Sequence, residues 1–246
     1  MSNALVVLVP PSEAKVVGGS RVRLNGEFDA ELRGARREVV RALADFVRQA
    51  PNEALERSLN ARGPLLKRAI SAAKQVDAHR AALLPAWQRY SGVVWTYLDP
   101  ASMTPDERRR ILVPSGLYGV TTSEDLVADY RLRMNVRLPG VGNVASFWRP
   151  RLVPVLTHRL AVATLVNLLP KEHEAAIGLD SLEKSGEVIN VSFTHREGAA
   201  AAGHDAKAVK GILARRLVQE GIDVLESFTW QQWRVTHANG SVTVVR

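Results

Sequence analysis

The amino-acid sequence predicts one α+β domain: a mixed β-sheet surrounded by helices, with a C-terminal β-hairpin. Three observations carry this. Short continuous apolar runs rich in Val and Leu recur along the chain, the pattern of strands buried on both faces. Amphipathic stretches lie between them without strict alternation, which favours a mixed sheet over regular βαβ units. The chain ends in two segments around Asn239-Gly240, the strongest short hairpin signal. A length of 246 residues and 46% hydrophobic content suit a single domain over residues 1–246. No internal repeat or low-complexity linker divides it.

In chain order, residues 5–9 form the first buried strand. The loop Pro10-Pro11-Ser12-Glu13-Ala14-Lys15 follows. Loops leaving buried strands are favoured ligand sites, so Lys15 can place a charge there with Glu13 orienting it. Residues 29–49 read as a helix, with Leu32, Ala35, Val39, Leu43 and Val47 at core spacing. Arg33, Arg37 and Arg41 stripe another face, which reads first as solvated. Residues 52–60 and 64–76 are two more helices, the second with Pro64 at its first position. Residues 83–90 read as a short helix and 92–97 as a strand or buried turn. Thr104-Pro105-Asp106-Glu107 is a capping box that starts a helix. Residues 111–113 are the next buried strand.

The stretch from Ile111 to Trp148 carries the most information. Residues 123–130 read as a short acidic helix. Residues 131–138 alternate, so Leu132, Met134, Val136 and Leu138 face a core while Arg131, Arg133 and Arg137 face away, as on a strand. Gly140 and Gly142 then let the backbone approach a ligand, and a helix starts at Asn143 or Val144. Exposed N–H groups at a helix start attract phosphate. Residues 138–145 are similar to the hairpin of a helix-hairpin-helix DNA-binding motif. A plain glycine turn between strand and helix is the other reading.

Residues 146–161 read as a helix disturbed by Pro150 and Pro154, and 163–168 as a strand. A short helix at 171–177 and a strand at 188–194 follow. The small-residue loop 198–203 is expected to be mobile. Residues 204–220 form a helix ending at Gly221, with Lys207, Lys210 and Gly211 near its start. Residues 231–236 and 241–245 are the arms of the final hairpin.

Composition excludes several chemistries. Cysteine is absent, so disulfides, thiol catalysis and thiolate metal sites are removed, which fits a reducing compartment. The formal net charge is +8, which favours polyanions as partners. No signal peptide or membrane span is read, and the expected location is cytoplasmic. The six histidines have no i, i+4 pair and no HExxH; His195 and His204 flank the small-residue loop. No P-loop or GxGxxG occurs. No metal and no cofactor is expected.

A set of motifs in unbroken order resembles the YaaA family of peroxide stress proteins. It comprises residues 7–15 (VLVPPSEAK) with Gly18-Gly19, then 90–98 from Tyr90, Ser115-Gly-Leu-Tyr-Gly-Val120 with Asp125, and Tyr130-Arg131-Leu132. The set continues with LPGVG at 138–142, Phe147-Trp148, and His204 with Lys207, Lys210 and Gly211. The resemblance implies a positively charged cleft, double-stranded DNA binding with a helix-hairpin-helix-like element, and a role in limiting damage from peroxide and free iron. It places Lys15, Arg131, Lys207 and Lys210 at or near that cleft. The sequence departs from the family pattern at Asn167, Pro170, His173 and Ala206, removing polar groups and pointing toward another ligand.

Two functions follow. The first is a DNA-binding protein that meets phosphates with Lys15, Arg131, Arg133, Gly140, Gly142, Asn143, His204, Lys207 and Lys210. The second is an enzyme of specialised metabolism acting on a phosphorylated or nucleotide-like small molecule. There Lys15 or Lys207 would serve as base or nucleophile, with Glu13 or His204 as acid–base partner. No catalytic residue is assigned beyond these candidates.

Overall fold

The computed structural model describes residues 4–195, 200–238 and 241–246. Residues 198 and 199 of the small-residue loop and the Asn239-Gly240 turn lie outside them. Strand β1 (Ala4–Leu8) opens the chain. Its residues Leu5 to Leu8 are at most 7% exposed, as a continuous apolar run requires at a sheet centre. Helices α1 (Asp29–Gln49), α2 (Asn52–Leu59) and α3 (Gly63–Asp77) follow. Short β2 (Leu83–Pro85) leads into α4 (Ala86–Arg89) and α5 (Val93–Leu98). Helix α6 (Pro105–Arg109) starts on the Thr104–Glu107 capping box with both reciprocal bonds formed. Strands β3 (Ile111–Ser115), β4 (Gly119–Thr122) and β5 (Leu126–Ala128) come next.

A two-residue ladder, β6 (Arg137–Leu138) with β7 (Gly142–Asn143), precedes α7 (Val144–Leu160). Then come β8 (Ala163–Asn167), α8 (Lys171–Ile177), α9 (Leu179–Leu182) and β9 (Val188–Thr194). Helices α10 (Gly203–Glu220) and α11 (Val224–Ser227) lead to β10 (Thr229–Trp230), β11 (Trp233–Ala238) and β12 (Ser241–Val245).

The main sheet is mixed, in the order β10-β11-β12-β9-β8-β1-β3-β4. Strands β3, β1, β8, β9 and β12 run parallel, and β4 and β11 are antiparallel to their neighbours. The α+β expectation and the arms of the terminal hairpin are therefore present. The chain leaves β1 for β3 on one side and returns to β8 on the other. That makes β1 a topological switch point, where a crevice opens at the carboxyl ends of the strands. The loops after β1, β3 and β8 meet there.

Four local expectations are corrected. Residues 83–85 form a strand because they pair antiparallel with β5, and only 86–89 are helical. That same pairing makes 126–128 a strand where an acidic helix was expected. Residues 93–98 are helical, because packing against α10 overrides their β-branched propensity. Residues 131–136 keep the expected alternation of burial but have no strand partner. The carbonyls of Met134 and Val136 accept instead from the amides of Ala145 and Val144 at the start of α7.

Helix α7 runs unbroken through Pro150 and Pro154. Both prolines sit on its exposed face, where water can satisfy the carbonyls they release, and Phe147, Trp148, Leu152 and Leu156 hold the other face. No helix among the described residues is long and apolar enough to cross a membrane.

The α5–α10 contact is close because Gly211 faces α5. A Cβ there would lie 2.4 Å from the Val94 carbonyl oxygen and 2.8 Å from Tyr97 Cβ. Gly34, in the exposed middle of α1, has nothing within 4 Å. Gly211→Ala is expected to destabilise the protein by about 1–3 kcal/mol. Gly34→Ala is expected to stabilise it by roughly 0.5–1 kcal/mol. Urea unfolding of both variants measures this, and equal effects of one sign would contradict the packing.

Candidate functional site

The loop after β1 is fixed at several points. Its Pro10 carbonyl accepts from Trp95 Nε1 at 3.1 Å, and Lys15 bridges to Tyr90. Arg89, fully buried, donates to four backbone carbonyls: Val16, Gly18 at 3.0 Å, Ala82 at 3.0 Å and Val127 at 3.3 Å. Those acceptors belong to three separate segments, so one guanidinium joins the β1 loop to β2 and β5. Arg68 adds a bond from Nη2 to the Lys15 carbonyl at 2.8 Å and holds Asp129 through Nε at 2.7 Å. Arg131 binds Glu13 at 2.6 Å and the carbonyls of Leu59 and Asn60 at 2.7 and 2.8 Å. Arg133 reaches Glu13 at 4.0 Å.

These residues enclose a pocket of about 430 Å³ lined by Glu13, Lys15, Arg68, Asp129, Tyr130 and Arg131, among others. The Lys15 side chain is half-buried, with its Nζ 2.7 Å from the Ser12 carbonyl oxygen. The same nitrogen stands over the ring of Tyr130 at 4.4 Å and that of Tyr90 at 5.3 Å. Both carboxylates in the lining are taken by arginines, and among the described residues Lys15 forms no ion pair. Burial pulls the Lys15 ammonium down to about 7, against partial support from Asp129. Beneath it, Ser115 Oγ donates to the Tyr130 hydroxyl at 2.7 Å, and the Tyr90 and Tyr130 hydroxyls are 2.9 Å apart. Burial pushes Tyr130 up to about 12 and Tyr90 well above its usual value, so both phenols stay protonated at neutral pH.

A second group of predicted residues sits on α10. Lys210 Nζ lies 4.8 Å above the Phe193 ring, and burial lowers its pKa to about 8 while Glu174 opposes this. Burial first, and the Lys210 charge second, lower His173 to about 4. Asn167 donates to Asn190 at 2.9 Å and to Glu174 at 3.2 Å, so the family departure Asn167 holds the carboxylate that supports the Lys210 charge, and the departure His173 feels that charge directly. His204 and Lys207 are exposed on the first turns of α10, His204 against the edge of Tyr97. Among the described residues, no hydrogen bond or ion pair joins this group to Lys15 and Arg131. The predicted residues come from different elements: Lys15, Arg131 and Arg133 stand around the pocket, and His204, Lys207 and Lys210 stand on α10.

Gly140, Gly142 and Asn143 form the third place. Both glycines have positive φ, 76° and 79°, and a Cβ on either would meet nothing within 4 Å. Asn143 caps α7 by accepting from Ser146 N at 2.9 Å. Residues 131–136 before this hairpin are not helical, so the element is a β-hairpin followed by one helix.

The sequence reading gave no weight to a groove of about 680 Å³ along α1. Arg23, Arg33, Arg36, Arg37 and Arg41 line it, with His79 and three aspartates. The stripe was visible in the spacing, but the facing residues were not. Nor did any signal mark Arg68 or Arg89, which read as ordinary helix residues. Among the described residues, no group of three His, Asp or Glu side chains is placed to hold a metal ion.

Because the folded chain binds the Lys15 proton less tightly than the unfolded chain, stability linked to Lys15 rises with pH between about 7 and 10.5. Lys15→Met is therefore expected to stabilise the protein at about pH 6, with the gain shrinking by about pH 9. Urea unfolding of parent and variant at both pH values tests this; a constant difference would contradict the buried amine.

The model of the peroxide stress protein YaaA family matches residues 5–238. A UPF0246 protein of Streptomyces coelicolor is 30% identical over 226 residues, covering 88% of this chain and 84% of that protein. One from Parabacteroides distasonis is 24% identical over 240 residues, covering 92% of each. One from Dinoroseobacter shibae is 33% identical over 172 residues, covering 65% of this chain and 63% of the other. The family match spans β1 to β11 and takes in the Lys15 pocket, the glycine hairpin and the lysines of α10: the chain belongs to the YaaA family of peroxide stress proteins, UPF0246.

Proposed function

We propose that this protein binds double-stranded DNA and serves the response to peroxide stress for which its family is named. The observation that carries the reading is the groove along α1. Its carboxylates already have partners. Asp29 pairs with Arg36 and Asp77 with Arg48, while Asp125 accepts from the amides of Glu27 and Thr122. Arg37 and Arg41 have no ion pair among the described residues, and Arg33 has only a 3.4 Å bond to Asn25. Stripe arginines four residues apart are spaced by about 6 Å along the helix, so their guanidiniums can track a phosphate backbone. The first amides of α7 are spent inside the protein, Val144 and Ala145 on carbonyls and Ser146 on Asn143, so the glycine turn adds close backbone approach rather than a phosphate cradle. The exposed Lys207 and His204 and the partly exposed Arg133 supply additional positive charge.

A second reading is an enzyme acting on a small phosphorylated or nucleotide-like molecule. The observation favouring it is the Lys15 pocket, whose size suits a metabolite and whose lining includes two arginines. Lys15 and Arg131, both in its lining, suit such a ligand better than they suit a duplex.

Binding to duplex DNA is expected to weaken with salt, with a log–log slope of about −0.9 per phosphate neutralised. Replacing Arg33, Arg37 and Arg41 together with Gln is expected to lower affinity alike for unrelated sequences. The same change should make the slope shallower by about 3. Fluorescence titrations across a salt series measure both. A slope near zero, or one unchanged by the triple substitution, would overturn the assignment.

A further inference from the structure

Lys15 is held in a way that charge pairing does not require. Two carboxylates line its pocket, yet Arg131 takes Glu13 and Arg68 takes Asp129. The amine is left with one carbonyl, that of Ser12, and two aromatic faces. Its backbone is clamped on both sides, by the bridge to Tyr90 and by Arg68, so the side chain leaves from a fixed point. The Ser115–Tyr130–Tyr90 hydroxyl chain fixes the rings it rests on. The pocket is walled by the loop that leaves the buried strand β1, together with α3 and residues 129–131, and loops leaving such strands are favoured ligand places.

We propose that Lys15 is a reactive amine: its Nζ adds to the carbonyl carbon of a small oxo acid or anionic aldehyde and forms an imine. This rests on the second reading above and names its chemistry. The nitrogen lone pair forms the C–N bond, and the carbonyl electrons move onto oxygen, which is protonated. That oxygen then leaves as water, carrying in net terms the two protons of the neutral amine. No oxidant or reductant is needed.

The charged groups facing Nζ fit this use. Arg131 and Arg89 disfavour the ammonium, Asp129 and Glu13 favour it, and burial outweighs them all, leaving about half the amine neutral near pH 7. The ring faces of Tyr90 and Tyr130 pull the other way, toward the cation, and their protonated phenols add no negative charge. Arg131 and Arg68 line the same pocket, and the Nη1 of each makes no hydrogen bond among the described residues. Each can donate to the carboxylate or phosphate of the carbonyl compound.

The test uses the full chain with glyoxylate as the probe and sodium cyanoborohydride to trap any imine, followed by peptide mass mapping. The adduct is expected on Lys15 in preference to the other lysines, with a rate that climbs as pH passes through about 7. Lys15→Arg and Lys15→Met should lose this adduct, with labelling of the other lysines unchanged. Calorimetric titration with glyoxylate alone separates two ways to fail. Binding without an adduct on Lys15 overturns the amine chemistry and leaves a small-molecule site. Neither binding nor adduct overturns both. Even labelling of all lysines overturns the proposal as well.

Discussion

Arg89 places a full positive charge inside the protein with no carboxylate bonded to it. A guanidinium stays protonated in proteins, so this burial is costly unless its donors are used. Here they are used on backbone carbonyls from the β1 loop, the entry to β2 and strand β5. None of those carbonyls lies inside the main sheet, where ladder bonds would serve them. One side chain thus ties together segments that the main-sheet ladder does not reach. Arg89 also raises the local potential around Lys15 and pushes that amine toward its neutral form. The clamp that shapes the loop therefore also tunes the residue the loop carries.

The same economy governs the other cations. Arg68 and Arg131 occupy the carboxylates nearest Lys15, and Arg36 occupies Asp29 beside the α1 groove. Among the described residues this leaves the pocket amine without a counter-ion and leaves Arg37 and Arg41 of the groove without an ion pair. The two hollows differ in size, about 430 and 680 Å³, and in the cations they hold: one amine with two arginines in the pocket, five arginines in the groove. Lys210, surrounded by Phe193, His173 and Glu174, belongs to neither.

Much of the fold was legible because its signals are local. The strand at β1 is a run of five apolar residues; α1 and α10 show helical spacing; the capping box at Thr104 and the hairpin arms are short-range patterns. The misread segments are those whose conformation is set by a partner. Residues 83–85 and 126–128 are strands only because they pair with each other across the chain, Leu83 with Ala128 and Pro85 with Leu126. Residues 93–98 are helical because Gly211, far along the chain, admits them closely. Of the site, Lys15, Arg131 and the glycine hairpin stood out as motifs, whereas Arg68 and Arg89 looked like any arginine on an amphipathic helix.

By itself the sequence determined the fold class, the family, the first buried strand and the candidate lysines, since composition, periodicity and ordered motifs are properties of the chain as written. The tertiary structure alone decided which cations keep a counter-ion and which do not. That depends on distances between residues such as Arg131 and Glu13, separated by 118 positions. Electrostatic pairing acts through space, and nothing in the linear order of residues fixes it.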